Sequence, residues 1–111
     1  MQCKLIDNVK MIMSGEELAH EIIGKFDTND VFVMCERAGI SVHFEKWHSV
    51  TLGEFDRKTN AICVNLNAKI DQNQIIAHEL GHYFIHQKSI KLSRNEEEIM
   101  AENFAKKILL K

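Results

Sequence analysis

No proline occurs anywhere in this chain of 111 residues, and glycine is held to five. With neither residue clustered, there is no Pro- or Gly/Ser-rich linker to divide the chain. No internal repeat or low-complexity tract is visible either, so the expectation is one domain over residues 1–111. Cysteine is scarce: Cys3, Cys35 and Cys63 are an odd number, far apart and outside any C-x-x-C pair, which fits a reduced, cytoplasmic chain. Long apolar runs are missing. A stretch such as Val31-Phe32-Val33-Met34-Cys35 falls far short of the roughly 20 residues that span a bilayer. Lys4, Asp7, Asn8 and Lys10 interrupt anything like a secretory leader, so no membrane partner is expected. A basic excess is also absent: fourteen Lys and Arg against sixteen Asp and Glu give a net charge of -2, which disfavours direct binding to nucleic acid. The chain does have 45% hydrophobic and 27% charged residues, the balance of a globular protein with one modest core and not of a disordered or fibrous one.

Local patterns predict an α+β fold. After an N-terminal segment over 1–13, a helical region is expected over 14–39. Ser14-Gly15-Glu16-Glu17 is a capping box, followed at helical spacing by Leu18, Ile22, Ile23 and Phe26, which places a first helix over about 15–26. Val31, Met34 and Cys35, stopped by Gly39, fit a second short helix over about 30–38, although Val31-Phe32-Val33 alone suits a strand equally well. From Ile40 the period changes to two. Ile40, Val42 and Phe44 alternate with Ser41, His43 and Glu45, the pattern of a half-buried strand. Val50 to Phe55 and Ala61 to Leu66 follow, joined by the polar Asp56-Arg57-Lys58-Thr59-Asn60, so the expectation over 40–66 is a small three-stranded antiparallel sheet. Asp71 then caps a helix over 71–87, and a Ser93-Arg94-Asn95-Glu96 capping box opens a C-terminal helix over 94–110.

The chemistry is concentrated in His78-Glu79-Leu80-Gly81-His82, an H-E-x-x-H pattern on the third expected helix. At 3.6 residues per turn, positions i and i+4 stack on one face, so His78 and His82 can present two imidazole nitrogens to one tetrahedral metal. Glu79 falls beside the metal, where its carboxylate can take a proton from a metal-activated water and pass it to a leaving amine. A four-residue pattern also arises by chance. Its position on a segment with its own cap and an apolar opposite flank is what favours a metal site.

A metal site that keeps one position open needs a third protein ligand. The C-terminal helix is the source, because its apolar stripe of Ala101, Phe104, Ala105 and Ile108 follows the acidic run Glu96-Glu97-Glu98. Glu98 shares a face with Ala101 and Ala105, while Glu97 lies on the neighbouring stripe; Glu97, Glu98 and Glu102 stay open as candidates. The small residues Ala101, Ala105 and Gly81 would let the two helices approach closely. For Glu96 the simpler role, an exposed carboxylate at a helix N-terminus, suffices.

These segments resemble the ImmA/IrrE-type zinc metallopeptidase domain family. The resemblance runs through Ile62-Cys63-Val64-Asn65, Gln74 to His86 and Glu98 to Leu109, about half the chain. The family pairs H-E-x-x-H with a later helix of approximate form E-x-E-A-x-x-F-A-x-x-L-L. Aligned on Phe104-Ala105, its first Glu is Glu98 and its second falls on Met100. The resemblance thus implies a zincin-like fold, zinc (Zn2+) held by His78, His82 and Glu98, and an endopeptidase with Glu79 as general base. It also implies a protein substrate, in several family members a helix-turn-helix repressor of a mobile element, phage or stress response. Because the chain ends at Lys111, a minimal member without an added DNA-binding or sensor domain is the expectation.

Other residues carry two readings each. His86 reads as a surface histidine or one that supports the ligands from behind. Tyr83, His43 and His48 can donate to a tetrahedral oxyanion or serve structure alone. Trp47 suits a core or a peptide-binding rim, and Cys63 reads as a small apolar filler of a buried strand. Two rival functions remain at this level: a metal-containing module that binds a protein of a regulatory or mobile-element system without cutting it, and a structural zinc staple. The second is less natural, since three N/O ligands without a thiolate suit an open site better than a closed one.

Overall fold

Ser14 starts the first helix by the bonds its sequence predicts: the Glu17 amide donates to Ser14 Oγ at 3.0 Å and the Ser14 amide to Glu17 Oε1 at 2.8 Å. The computed structural model describes residues 13–47 and 51–110, so most of the N-terminal segment and His48 and Val50 lie outside the described residues. Helix α1, Gly15–Phe26, buries Leu18, Ala19 and Ile22 and ends where Asp27 turns left-handed. Helix α2 spans Val31–Ala38. The helix-or-strand ambiguity at Val31-Phe32-Val33 is resolved by Asp30, whose carboxylate accepts from the Phe32 and Val33 amides, and by Gly39, left-handed at φ 77°; together they satisfy both helix ends.

Three strands follow: β1 Ser41–Glu45, β2 Gly53–Asp56 and β3 Ala61–Asn65. The sheet is mixed, in order β1-β3-β2, which corrects the expectation of an all-antiparallel sheet. β2 pairs antiparallel with β3, as their short connection requires, but β1 pairs parallel with β3, from Ser41 opposite Ala61 to Glu45 opposite Asn65. Period-two patterning marks a strand and is silent about its neighbours. It also overstates the burial of β1: Ile40 is buried but precedes the strand, and Phe44 is exposed, because β1 is an edge.

Helix α3, Gln72–Gln87, begins after Asp71, whose side chain makes no capping bond. It buries Ile75, Ile76, Ala77, Leu80, Gly81, Phe84 and Ile85, so it runs through the middle of the core. Helix α4, Arg94–Leu109, opens on the predicted Ser93 and Glu96 capping box and packs between α1 and α3. Gly15 lets α1 start against α4, since a Cβ there would meet Met100 O at 2.3 Å. On the sheet side, a Cβ on Gly53 would sit 2.6 Å from Ile75 Cγ2, so β2 lies directly on α3. Loop and sheet are tied by the buried Asn65, whose Oδ1 accepts from the Trp47 and Asn67 amides and whose Nδ2 donates to Thr51 O. The α+β architecture is compatible with a small zincin-like domain.

Cys63 corrects another expectation. Ile62 and Val64 point into the core, whereas Cys63 is only half-buried and sits near Glu45, Glu54 and Asp56; burial first and these carboxylates next raise its thiol pKa. Cys35 is buried on α2, and burial pushes its thiol up to about 12. Both thiols stay protonated near neutral pH and are poor nucleophiles. In a Cys3→Ser background, a colourimetric thiol reagent will label native Cys63 slowly and Cys35 only on unfolding; rapid labelling of either in the native protein would contradict this.

Candidate metal centre

The faces of α3 and α4 that meet run antiparallel: His78 lies beside Glu98 and Glu102, His82 beside Glu97 and Glu98, and His86 beside Glu97. Gly81 brings the helices together. A Cβ at this position would sit 2.9 Å from Ala101 Cα and 3.1 Å from Ala101 O, contacts that no side chain tolerates without moving a backbone. Short carboxylates on α4 reach the histidines because of this contact, as the small residues in the sequence suggested. Gly81→Ala will destabilise the fold by up to about 2 kcal/mol, because overpacking at a rigid contact, typically about 1–3 kcal/mol, outweighs the helix-propensity gain of about 1 kcal/mol. Urea unfolding checks it, and a variant more stable than wild type would contradict the packing argument.

Three atoms converge. His78 Nε2 and Glu98 Oε1 are 3.0 Å apart, His82 Nε2 and Glu98 Oε1 3.3 Å, and the two Nε2 atoms 3.3 Å. A tetrahedral ion with bonds of about 2.0–2.1 Å requires ligand atoms about 3.3–3.4 Å apart, so this nearly equilateral triangle fits such an ion. Two imidazoles and a carboxylate are also a donor set that divalent ions accept. Among the described residues this His/His/Glu group can hold a metal ion, and its carboxylate is Glu98, one of the three that the sequence left open.

The other two candidates for third ligand stand elsewhere. Glu97 Oε2 lies 2.6 Å from His82 Nδ1 and 3.0 Å from His86 Nε2, and Glu102 Oε1 lies 3.3 Å from His78 Nδ1. Both therefore face the far nitrogens of the histidines. Burial acts to raise the Glu97 pKa, but the His82 hydrogen bond and the charges of His86 and His82 outweigh it and the net direction is down. Glu96 serves the helix end, its carboxyl lowered by the Ser93 hydrogen bonds.

Glu79 is half-buried and lines two cavities, one of which includes His82 and the other His78. Its pKa is raised, first by burial and secondarily by Glu98 and Glu54, against the opposing effect of His82 and His78. The larger cavity, about 530 Å³, lies along β2 and includes Glu54, Phe55, Arg57, Tyr83 and His86 in its walls. The smaller, about 220 Å³, is walled largely by Leu52, Ile70, Ile75, Ala105 and Leu109. Tyr83 packs its ring on Phe55, centroids 5.1 Å apart, which holds it at the cleft. His43 is on β1, separated from β2 and the cleft by β3, and Trp47 is half-buried at the loop that Asn65 and Asn67 tie down. Sequence reasoning missed the apolar cavity: Leu52, expected within the strand Val50 to Phe55, precedes β2, and Ile70 is a loop residue, so neither was marked as lining a site.

Peptidase_M78, the IrrE N-terminal-like domain, matches residues 35–111. The chain belongs to this family. The H-E-x-x-H pattern of α3 and Glu98 of α4 both fall within the span matched by the IrrE N-terminal-like family. The chain is also similar to the protein named Metallopeptidase ImmA from Bacillus subtilis (strain 168), with 27% identity over 112 residues, covering 89% of this chain and 66% of that protein. The chain thus spans just under two thirds of that relative's length. Among the described residues of this IrrE N-terminal-like chain, no helix is long and apolar enough to cross a membrane.

Proposed function

We propose that the protein is a zinc-dependent endopeptidase of the cytoplasm in which His78, His82 and Glu98 hold the ion and Glu79 is the general base and acid. The observation that carries this reading is the triangle of His78 Nε2, His82 Nε2 and Glu98 Oε1 with 3.0–3.3 Å edges, with Glu79 lining both neighbouring cavities. When bound, zinc supplies Lewis acidity that polarises the scissile carbonyl and makes water a better nucleophile. Glu79 accepts the proton of the attacking water and delivers it to the departing amine.

The cleft favours an extended peptide. β2 is the sheet edge nearest α3, and its residues Gly53, Glu54 and Phe55 line the larger cavity, so a substrate strand can add to that edge by backbone hydrogen bonds. The smaller, apolar cavity then receives one apolar side chain next to the bond that is cut. Family membership and the similarity to a metallopeptidase support a protein substrate, and the resemblance to ImmA/IrrE domains extends the proposal to a helix-turn-helix repressor of a mobile element.

Incubation of the zinc-loaded protein with a candidate repressor and with a peptide mixture, followed by mass spectrometry of the fragments, tests the reading. Fragments that are absent with chelator and absent with Glu79→Gln support it. Fragments produced equally by wild type and Glu79→Gln would overturn it, and binding of the repressor without cleavage would establish the metal-containing binding module in its place.

A further inference from the structure

Zinc bound through His78 and His82 Nε2 requires the protons of both rings to sit on Nδ1, and the fold supplies an acceptor at each Nδ1. Of the two, Glu97 is the stronger. Its contact with His82 Nδ1 is 2.6 Å, against 3.3 Å for Glu102 with His78 Nδ1, and short contacts of this kind are the charge-assisted ones. Glu97 is also the most enclosed, its side chain 19% exposed where Glu98 and Glu102 are 52% and 48%. An enclosed carboxylate is costly without partners, and the partners of Glu97 are two ring nitrogens on successive turns of α3, His82 Nδ1 and His86 Nε2, both on the same oxygen.

We infer that Glu97 is a positioning residue that locks His82 in the Nδ1–H tautomer, with His86 as the clip that fixes the Glu97 carboxylate. This rests on the metal-site reading above. A ring that donates Nδ1–H to a fixed carboxylate aims its Nε2 lone pair at the triangle, and for His82 the 2.6 Å contact with Glu97 outcompetes Glu98 Oε1, which lies 3.3 Å from Nε2. Without the Glu97 acceptor the ring turns and exchanges tautomers, and part of the population presents a protonated Nε2. His86 reaches the centre through Glu97 alone, which accounts for a histidine four residues past the ligand pair that contributes no atom to the triangle. Glu102 plays the weaker counterpart to His78.

The distinguishing experiment combines long-range 15N–1H correlation spectra of the histidine rings in the metal-free full chain with zinc affinity by competition against a chelator of known strength. In wild type His82 will be the Nδ1–H tautomer. Glu97→Ala will show a tautomer mixture at His82 and zinc affinity weaker by about 10–100-fold, the usual effect of losing such a partner. Glu97→Gln, which keeps an oxygen acceptor, will hold the tautomer and stay within a few-fold of wild type, and His86→Ala will fall between the two. A wild-type His82 in the Nε2–H tautomer would overturn the inference, and this needs no variant. So would equal affinity losses in Glu97→Ala and Glu97→Gln, or unchanged affinity in a folded Glu97→Ala. Failure of the underlying metal site looks different, because wild type itself would then bind no zinc while the tautomer spectrum still reports on Glu97.

Discussion

Glu79→Gln will lower peptide hydrolysis by about 10²–10⁴-fold, the range set by removing a positioned general acid–base, while leaving zinc content at the wild-type level. The two halves of this result belong together. Glu79 is half-buried beside the triangle and is not one of its corners, so an isosteric amide keeps the packing and all three donor atoms but takes no proton. Burial raises the Glu79 pKa, which means the site already bears a cost for the charged form, and glutamine removes that cost. The metal-free variant will therefore fold at least as stably as wild type. Single-turnover cleavage assays and elemental analysis on the same samples check the prediction. Full hydrolysis by Glu79→Gln would remove the proposed base from the mechanism, and loss of zinc from it would make Glu79 a ligand.

His78→Ala and Glu98→Ala will each lose zinc by more than the 10–100-fold that outer partners control, because each deletes one corner of the triangle. Stability reports the same loss. Zinc at about a thousand times its dissociation constant stabilises a folded chain by roughly 4 kcal/mol. Thermal unfolding of wild type will shift upward with added zinc, and that shift will be absent in both variants. An undiminished shift in Glu98→Ala would transfer the third position to another carboxylate.

The first and last helices were legible in the sequence because their starts are local: Ser14 and Ser93 cap through bonds within three residues, and the i, i+4 spacing of His78 and His82 is a property of one helix. Strand order was not legible, since nothing in Ile40 to Glu45 specifies that β1 runs parallel to a strand twenty residues later. The outward turn of Cys63 was missed for the same reason. The division of labour among Glu97, Glu98 and Glu102 lies between these cases. Their stripes on α4 could be drawn from spacing, but which nitrogen each one faces depends on the antiparallel contact of Gly81 with Ala101, a distance between two helices. The apolar cavity of Leu52, Ile70, Ile75, Ala105 and Leu109 is assembled from loops and two helices and had no local signature at all.

X-ray absorption at the zinc edge of the reconstituted full chain tests the central claim most directly. One zinc per chain is expected, with nitrogen and oxygen neighbours at about 2.0–2.1 Å, two of them imidazoles, and with one imidazole fewer in His78→Ala. A sulfur neighbour at about 2.3 Å, or an imidazole count unchanged by His78→Ala, would place the metal elsewhere and contradict it.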